Sequence, residues 1–284
     1  LALVAATNRP LRDLLGGALR LAGEILLPPA CIACHAVIGP RLDGRHDAAT
    51  LICPDCRQLL HPLAAEGACP RCGAVPTIVS AGTPSGSCDA CAHFPAVLSA
   101  VRSVYPYYSP AGAIVRNMKY QRAPYLAEHL VDLALGQTEA WFAALPRPIV
   151  VVAMPMHPWR ELRRGYNQAG WLAGHLARRL GATTAPEGAL RRIRRAPPQA
   201  RFGTRAQRLA NLEGVFAIGA AEAFAGRHLL LVDDVMTSGA TLASAAAVLA
   251  SAGPASMHGF TPVRALMGDD ADGAPGTGPP ILGR

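Results

Sequence analysis

The spacing of apolar positions changes character near residue 95. Between Leu11 and Leu27, the residues Leu11, Leu14, Leu15, Leu19, Ala22 and Leu26 recur at helical spacing, interrupted by Arg12, Asp13, Arg20 and Glu24. This pattern predicts an amphipathic helix within residues 1–23, packed on its own protein. From residue 97, continuous apolar runs alternate with helical stripes. Val101–Tyr108, Ile149–Met154, Leu229–Val232 and Ser256–Val263 read as strands, and the unbroken run Ile149–Met154 suits burial on both faces. Pro124–Ala143 reads as one or two helices, with Leu126, Leu130, Leu133 and Ala134 on a shared face. Asn167–Leu180 reads as a helix with Trp171, Leu172, Leu176 and Leu180 inward and Arg178 and Arg179 outward. Thr204 and Gln207 form a capping-box pattern that opens a helix to about Asn211. Thr241–Ala252 reads as a helix of small residues. Strands alternating with helices predict an α/β domain with a parallel sheet over residues 97–264. Residues 268–284, with five glycines, three prolines and three aspartates, predict a flexible tail.

Composition narrows the class. Of 284 residues, 51% are hydrophobic and 16% charged, which excludes wholesale disorder. The length is ample for a real core. Against 19 acidic residues stand 27 cations, a net charge of +8. Lys119 is the only lysine and the other 26 cations are arginines, so Lys119 is a candidate for chemistry that needs a compact point charge. No run approaches 18 uninterrupted apolar residues, so no membrane span is expected. With no signal-peptide pattern either, the expected location is the cytoplasm.

All eight cysteines lie between residues 31 and 91 as four CxxC pairs: Cys31/Cys34, Cys53/Cys56, Cys69/Cys72 and Cys88/Cys91. Buried apolar thiols would scatter through a core rather than cluster. Two thiolates separated by two residues can turn onto one ion, and two such pairs complete a tetrahedral four-thiolate site. Gaps of 18, 12 and 15 residues separate successive pairs and fit zinc-ribbon intervals. Sequential pairing and cross-braced pairing (first with third, second with fourth) both close two sites. One occupied site with a degenerate partner is a third scheme. A closed four-thiolate site leaves no open position, so one or two structural zinc ions are expected.

The sharpest pattern lies where a strand becomes a helix. The apolar run Leu229–Val232 leads into Asp233 and Asp234, then Val235 and Met236, then Thr237-Ser238-Gly239-Ala240-Thr241. In open α/β sheets, ligands bind beyond the carboxyl ends of strands. A hydroxyl-rich loop entering a helix supplies N–H groups and the positive end of the helix dipole, which suits a phosphate. Gly239 lets the backbone approach closely. Paired carboxylates suit the hydroxyls of a ribose.

This run of apolar residues, two acids, two spacers and Thr-Ser-Gly-x-Thr is similar to that of the type I phosphoribosyltransferases. The resemblance implies binding of phosphoribosyl pyrophosphate (PRPP) with magnesium. Asp233 and Asp234 would hold the ribose 2- and 3-hydroxyls, and Thr237, Ser238, Gly239, Ala240 and Thr241 would wrap the 5-phosphate. Further segments narrow it: Met118-Lys119-Tyr120, Met154-Pro155-Met156-His157, Arg160, Arg164-Gly165-Tyr166-Asn167-Gln168-Ala169, Pro197-Pro198-Gln199, Arg208, Asn211, Gly214 and Phe216. With Leu26-Leu27-Pro28-Pro29 ahead of the cysteine pairs, residues 20–264 resemble the ComF family of competence proteins and their GntX-like relatives. The implied architecture is a type I phosphoribosyltransferase fold behind a double zinc-ribbon module of residues 24–94. Met156, His157 and Arg160 would form the pyrophosphate loop, with Met156 standing where the family has Val or Leu. Lys119 and Arg164 join Asp233 and Asp234 as implied catalytic residues. Arg164 has a second reading as a brace for its loop, and His157 reads as loop structure more than as a base.

Three functions stay open at this point. The first is phosphoribosyl transfer to an unidentified acceptor, in a protein tied to DNA uptake. The second is a non-catalytic competence factor whose zinc ribbons or arginines (Arg191, Arg192, Arg194, Arg195 and Arg201) engage single-stranded DNA. The third is a scaffold for a DNA-uptake helicase. No G-x-x-x-x-G-K-[ST] sequence occurs, so this chain is not expected to be the ATP motor. Glutamine hydrolysis by an N-terminal cysteine is not expected either, since the first cysteine, Cys31, already stands in a CxxC pair.

Overall fold

The computed structural model describes residues 29–38, 51–63, 66–74, 88–194 and 214–266. The expected helix within residues 1–23, the capping-box helix at Thr204 and the tail 268–284 lie outside the described residues. The chain divides into two compact units, Leu1–Leu59 and Leu60–Arg284. The first two cysteine pairs thus fall in the smaller unit, and the last two fold with the sheet. No helix among the described residues is long and apolar enough to cross a membrane.

In the smaller unit, an antiparallel bridge between Ala30 and Val37 closes the turn that carries Cys31 and Cys34. The short helix α1, Pro54–Gln58, begins at Cys53, and the Cys56 amide donates to the Cys53 sulfur at 3.4 Å. Proline at the first helical position costs nothing there, since its missing N–H would have no partner anyway.

The larger unit is built on a six-stranded parallel sheet. Its strands are β1 (Leu98–Pro106), β2 (Ile149–Ala153), β3 (Thr183–Thr184), β6 (His228–Val232), β7 (Val235–Met236) and β8 (Ser256–Arg264). The order is β1-β8-β6-β2-β3, with β7 also paired to β8. A separate antiparallel hairpin joins β4 (Leu190–Arg192) to β5 (Phe216–Ile218). The helices are α2 (Pro110–Tyr120), α3 (Leu126–Leu135), α4 (Glu139–Ala143), α5 (Pro158–Arg164), α6 (Gln168–Leu180) and α7 (Ala240–Leu249). Core strands are apolar throughout, as burial on both faces demands: Leu229, Leu230, Leu231 and Val232 are each 1% exposed or less.

Among the described residues, the strands expected at 101–108, 149–154, 229–232 and 256–263 and the helices expected at 124–143, 167–180 and 241–252 form, with shifts at their ends. Asn167 is the cap of α6 rather than its first residue; its side chain accepts from the Ala169 amide. Trp171, expected inward, is 45% exposed, while Leu172 and Leu176 are fully buried. The inward stripe is completed by Ala169, Ala173 and Ala177, small residues that let the helix lie close to the sheet. One arrangement sets the site. From β2 the chain proceeds to β3 on one side, and from β6 to β8 on the other. The boundary between β2 and β6 is therefore a topological switch point, with a crevice at its carboxyl end.

Candidate functional site

Two four-cysteine clusters form. Cys31, Cys34, Cys53 and Cys56 make one, and Cys69, Cys72, Cys88 and Cys91 the other, so the pairing is sequential rather than cross-braced. Zinc bonded to sulfur at about 2.3 Å in a tetrahedron places its sulfurs about 3.8 Å apart. Sulfur separations of 3.7 Å for Cys34–Cys53, 3.8 Å for Cys69–Cys91, 3.6 Å for Cys72–Cys88 and 3.9 Å for Cys88–Cys91 match that edge. Disulfides, at about 2.0 Å, are far shorter. The sulfurs are also electrostatically poised. Burial alone raises the Cys31 thiol, but the Cys53, Cys34 and Ala33 amides outweigh it and bring the group down to about 7. Burial likewise raises Cys69, and the Cys72 and Arg71 amides bring it to about 7, while burial pushes Cys91 up to about 11. A divalent cation resolves this crowding of sulfur charge. The clusters fit structural zinc.

The second candidate site is the crevice between β2 and β6. Asp233 and Asp234 follow β6; the Asp233 amide donates to the Phe260 carbonyl, and the Asp234 amide donates to Asp233 Oδ1 at 2.9 Å. Lys119, near the end of α2, reaches Asp234 with Nζ–Oδ2 at 2.9 Å, both side chains being largely buried at 15% and 13% exposure. Burial lowers the Lys119 ammonium, but the paired Asp234 outweighs it and raises the group overall. Asp233 is pushed up to about 7, by burial first and by the neighbouring Asp234 second, against the opposing pull of Lys119 and Arg192.

Thr237, Ser238, Gly239, Ala240 and Thr241 form the turn into α7. Gly239 takes a left-handed conformation, φ +76, and Ser238 Oγ accepts from the Ala240 amide at 3.4 Å. Across the crevice, Met154 to His157 follow β2. The Met154 amide bonds to the Val232 carbonyl, and Asn167 Nδ2 donates to the Met154 carbonyl at 3.0 Å. His157 caps α5, with Nδ1 accepting from the Trp159 amide at 3.2 Å, so this ring nitrogen is engaged in holding the loop. Met156 is half-buried in the same loop. Arg160 is exposed on α5. Arg164 does not join the acids; it donates to Gln168 Oε1 at 2.8 Å and braces the junction of α5 and α6. Tyr166 donates to the Met118 carbonyl, tying that junction to the helix that carries Lys119.

Sequence reasoning missed three residues here. Arg192, counted only among a basic stretch, lies within electrostatic reach of Arg160 and Asp233; burial and Arg160 lower its guanidinium. Tyr107 is buried beside Lys119, and its hydroxyl finds no hydrogen-bond partner among the described residues. Phe94 packs its ring against the turn at Gly239. An aromatic residue three positions after a ligand cysteine was the available signal for Phe94; nothing local marks Arg192 or Tyr107.

The chain is similar to several known proteins. A phosphoribosyl transferase domain matches residues 168–273, and a double zinc ribbon domain matches residues 22–92. A DNA utilization protein, YhgH, of Salmonella typhi is 30% identical over 200 residues, covering 70% of this chain and 84% of the relative. The same-named protein of Escherichia coli K12 is 29% identical over the same span. Competence protein F of Haemophilus influenzae is 28% identical over 140 residues, covering 48% of this chain and 60% of the relative. Among solved structures, adenine phosphoribosyltransferase from Saccharomyces cerevisiae is 21% identical, covers 54% of this chain and 73% of its own, and superposes with a TM-score of 0.32.

Proposed function

Because this chain belongs to the ComF family of competence and DNA-utilization proteins, with a phosphoribosyltransferase domain behind a double zinc ribbon, we propose that its crevice binds PRPP with magnesium and transfers the phosphoribosyl group to an acceptor. The observation that carries this reading is the pair Asp233–Asp234 at the switch point, followed by the left-handed turn at Gly239 that opens α7.

The acids would accept from the ribose 2- and 3-hydroxyls, a role that fits carboxylates able to take two hydrogen bonds. The turn would bind the 5-phosphate by its amides and hydroxyls at the positive end of α7. Lys119 pairs with Asp234 and orients it before ligand arrives. Arg160 and Arg192 would meet the pyrophosphate from the β2 side, with the loop Met154–His157 shaping its approach. Magnesium fits this donor set, since carboxylate oxygens are the ligands it takes and Asp233, pushed up to about 7, gains from a nearby cation. When bound, it would supply charge neutralisation on the leaving pyrophosphate. The protein's part is positioning and electrostatics while the anomeric carbon takes on positive character.

A second reading, a PRPP-dependent binder of single-stranded DNA, draws on the relatives' names and on the exposed Arg191 and Arg194. The two separate in one assay. Nucleobases and amines are offered with PRPP and magnesium while pyrophosphate is detected. Acceptor-dependent release supports transfer. PRPP binding without release from any acceptor, together with salt-sensitive DNA binding lost on neutralising Arg191 and Arg194, supports the second reading instead.

A further inference from the structure

We propose that the cluster of Cys69, Cys72, Cys88 and Cys91 supports the ligand site: through Phe94 it sets the position of the phosphate-binding turn at Gly239. The inference rests on reading Thr237–Thr241 as the 5-phosphate loop.

A Cβ placed on Gly239 would meet Phe94 Cε1 and Cζ at 2.7 Å and Met236 Sδ at 3.4 Å. The ring therefore fills the space against the turn, and only glycine fits under it. Phe94 is 5% exposed and stands three residues after Cys91, whose carbonyl accepts from the Phe94 amide at 2.9 Å. Its placement is fixed a second time by Arg71, which lies between Cys69 and Cys72. The Arg71 guanidinium sits 5.8 Å from the ring centroid and donates to the carbonyls of Phe94 at 3.1 Å and Pro95 at 2.8 Å.

The knuckle is in turn anchored to the sheet beneath the turn. The buried Arg264 of β8 donates to the Cys72 carbonyl at 2.5 Å, and the Val101 amide of β1 donates to the Arg71 carbonyl at 2.7 Å. On the next residue after Arg264, the Ala265 amide bonds to the Met236 carbonyl at 2.9 Å, at the root of the loop. A cysteine cluster that only stabilised its own segment would need none of these contacts. Phe94 touches no ligand in this account. It is a positioning residue that pre-sets the amides of Gly239, Ala240 and Thr241, and such pre-setting lowers the entropic cost of binding.

The test uses the full-length, zinc-loaded protein. PRPP binding with magnesium is measured by calorimetry for the wild type, Phe94→Ala, Gly239→Ala and the double variant. Zinc content and amide exchange over residues 237–242 without ligand are measured alongside. Phe94→Ala should keep its zinc, exchange faster across the turn and bind PRPP about tenfold more weakly, equivalent to about 1.4 kcal/mol. Phe94→Leu should fall between, and it is the variant to read if Phe94→Ala loses zinc. Removing the ring also removes the clash with a Cβ, so Gly239→Ala should cost less in the Phe94→Ala background than in the wild type, leaving only the strain of the left-handed backbone. Unchanged exchange and affinity in both Phe94 variants, or strictly additive losses in the double variant, would overturn the proposal. If the wild type itself binds no PRPP, the phosphate-loop reading fails, and the exchange measurement still decides whether Phe94 holds the turn.

Discussion

Replacing Lys119 by methionine removes the cation that faces two carboxylates while keeping a side chain of similar length. The ion pair is 2.9 Å long and its side chains are 15% and 13% exposed. At an effective dielectric constant of about 20 the gross attraction at this distance is about 6 kcal/mol, most of it offset by desolvation. Removing one partner leaves the other charge without compensation, which costs about 3–5 kcal/mol for a buried pair; residual water contact here suggests about 2–4 kcal/mol. For a unit of this size that is a fall in Tm of about 5–15 °C. The loss should depend on pH. Lys119 helps hold Asp233 down to about 7, so without it Asp233 titrates higher. A carboxyl whose folded value is raised gives stability that is present in acid and lost as pH rises through that value. The deficit of Lys119→Met should therefore be largest near about pH 8 and shrink toward about pH 5. Adding Asp234→Asn should recover part of it. Thermal and denaturant melts at both pH values decide. A variant within about 1 °C of wild type at both, or a double variant no more stable than the single, would show that Lys119 does not balance the two carboxylates.

The remaining predictions concern neighbouring groups. Asp233→Asn should stabilise the ligand-free protein near about pH 8 by roughly 1–3 kcal/mol, because Asp233, pushed up to about 7, is ionised there at a cost; denaturant melts should show no such gain below about pH 4, where the carboxyl is protonated in the native and the unfolded chain alike. Removing zinc with a strong chelator should lower the melting temperature and release two metal equivalents for the two clusters, read by a colorimetric zinc indicator. Gly112→Ala should be severely destabilising, by more than about 3 kcal/mol, since a Cβ there would lie 1.7 Å from the Tyr107 carbonyl oxygen; the measurement is a denaturant melt.

Much of the fold was legible because its strands are continuous apolar runs and its long helices carry clear stripes. Leu229–Val232 and Ile149–Met154 could be little else, and both become central strands. The helix α5 was not legible: all of its residues lie outside the core, so no apolar face marks it. The helix α2 could have been found, since Ser109 and Pro110 are a cap and first-position proline of the usual kind. The hairpin of β4 and β5 joins segments far apart in sequence, which no local pattern reports. In the crevice, the two acids and the glycine turn were visible as a local motif. Long-range partners were not. The pairing of Lys119 with Asp234, the approach of Arg192 to Asp233 and the packing of Phe94 on Gly239 each depend on contacts between distant segments. The cysteine spacing likewise pointed to two metal sites but left their pairing to the tertiary structure, which selects the sequential scheme.

Whether the crevice at Asp233 and Asp234 binds PRPP is decided by calorimetric titration of the zinc-loaded protein with PRPP and magnesium, run in parallel on Asp234→Asn. Saturable binding at one site per chain is expected in the wild type, with its loss in the variant, which keeps its zinc and its fold. Absence of binding at millimolar PRPP in the intact wild type, or equal binding by Asp234→Asn, would contradict binding in this crevice.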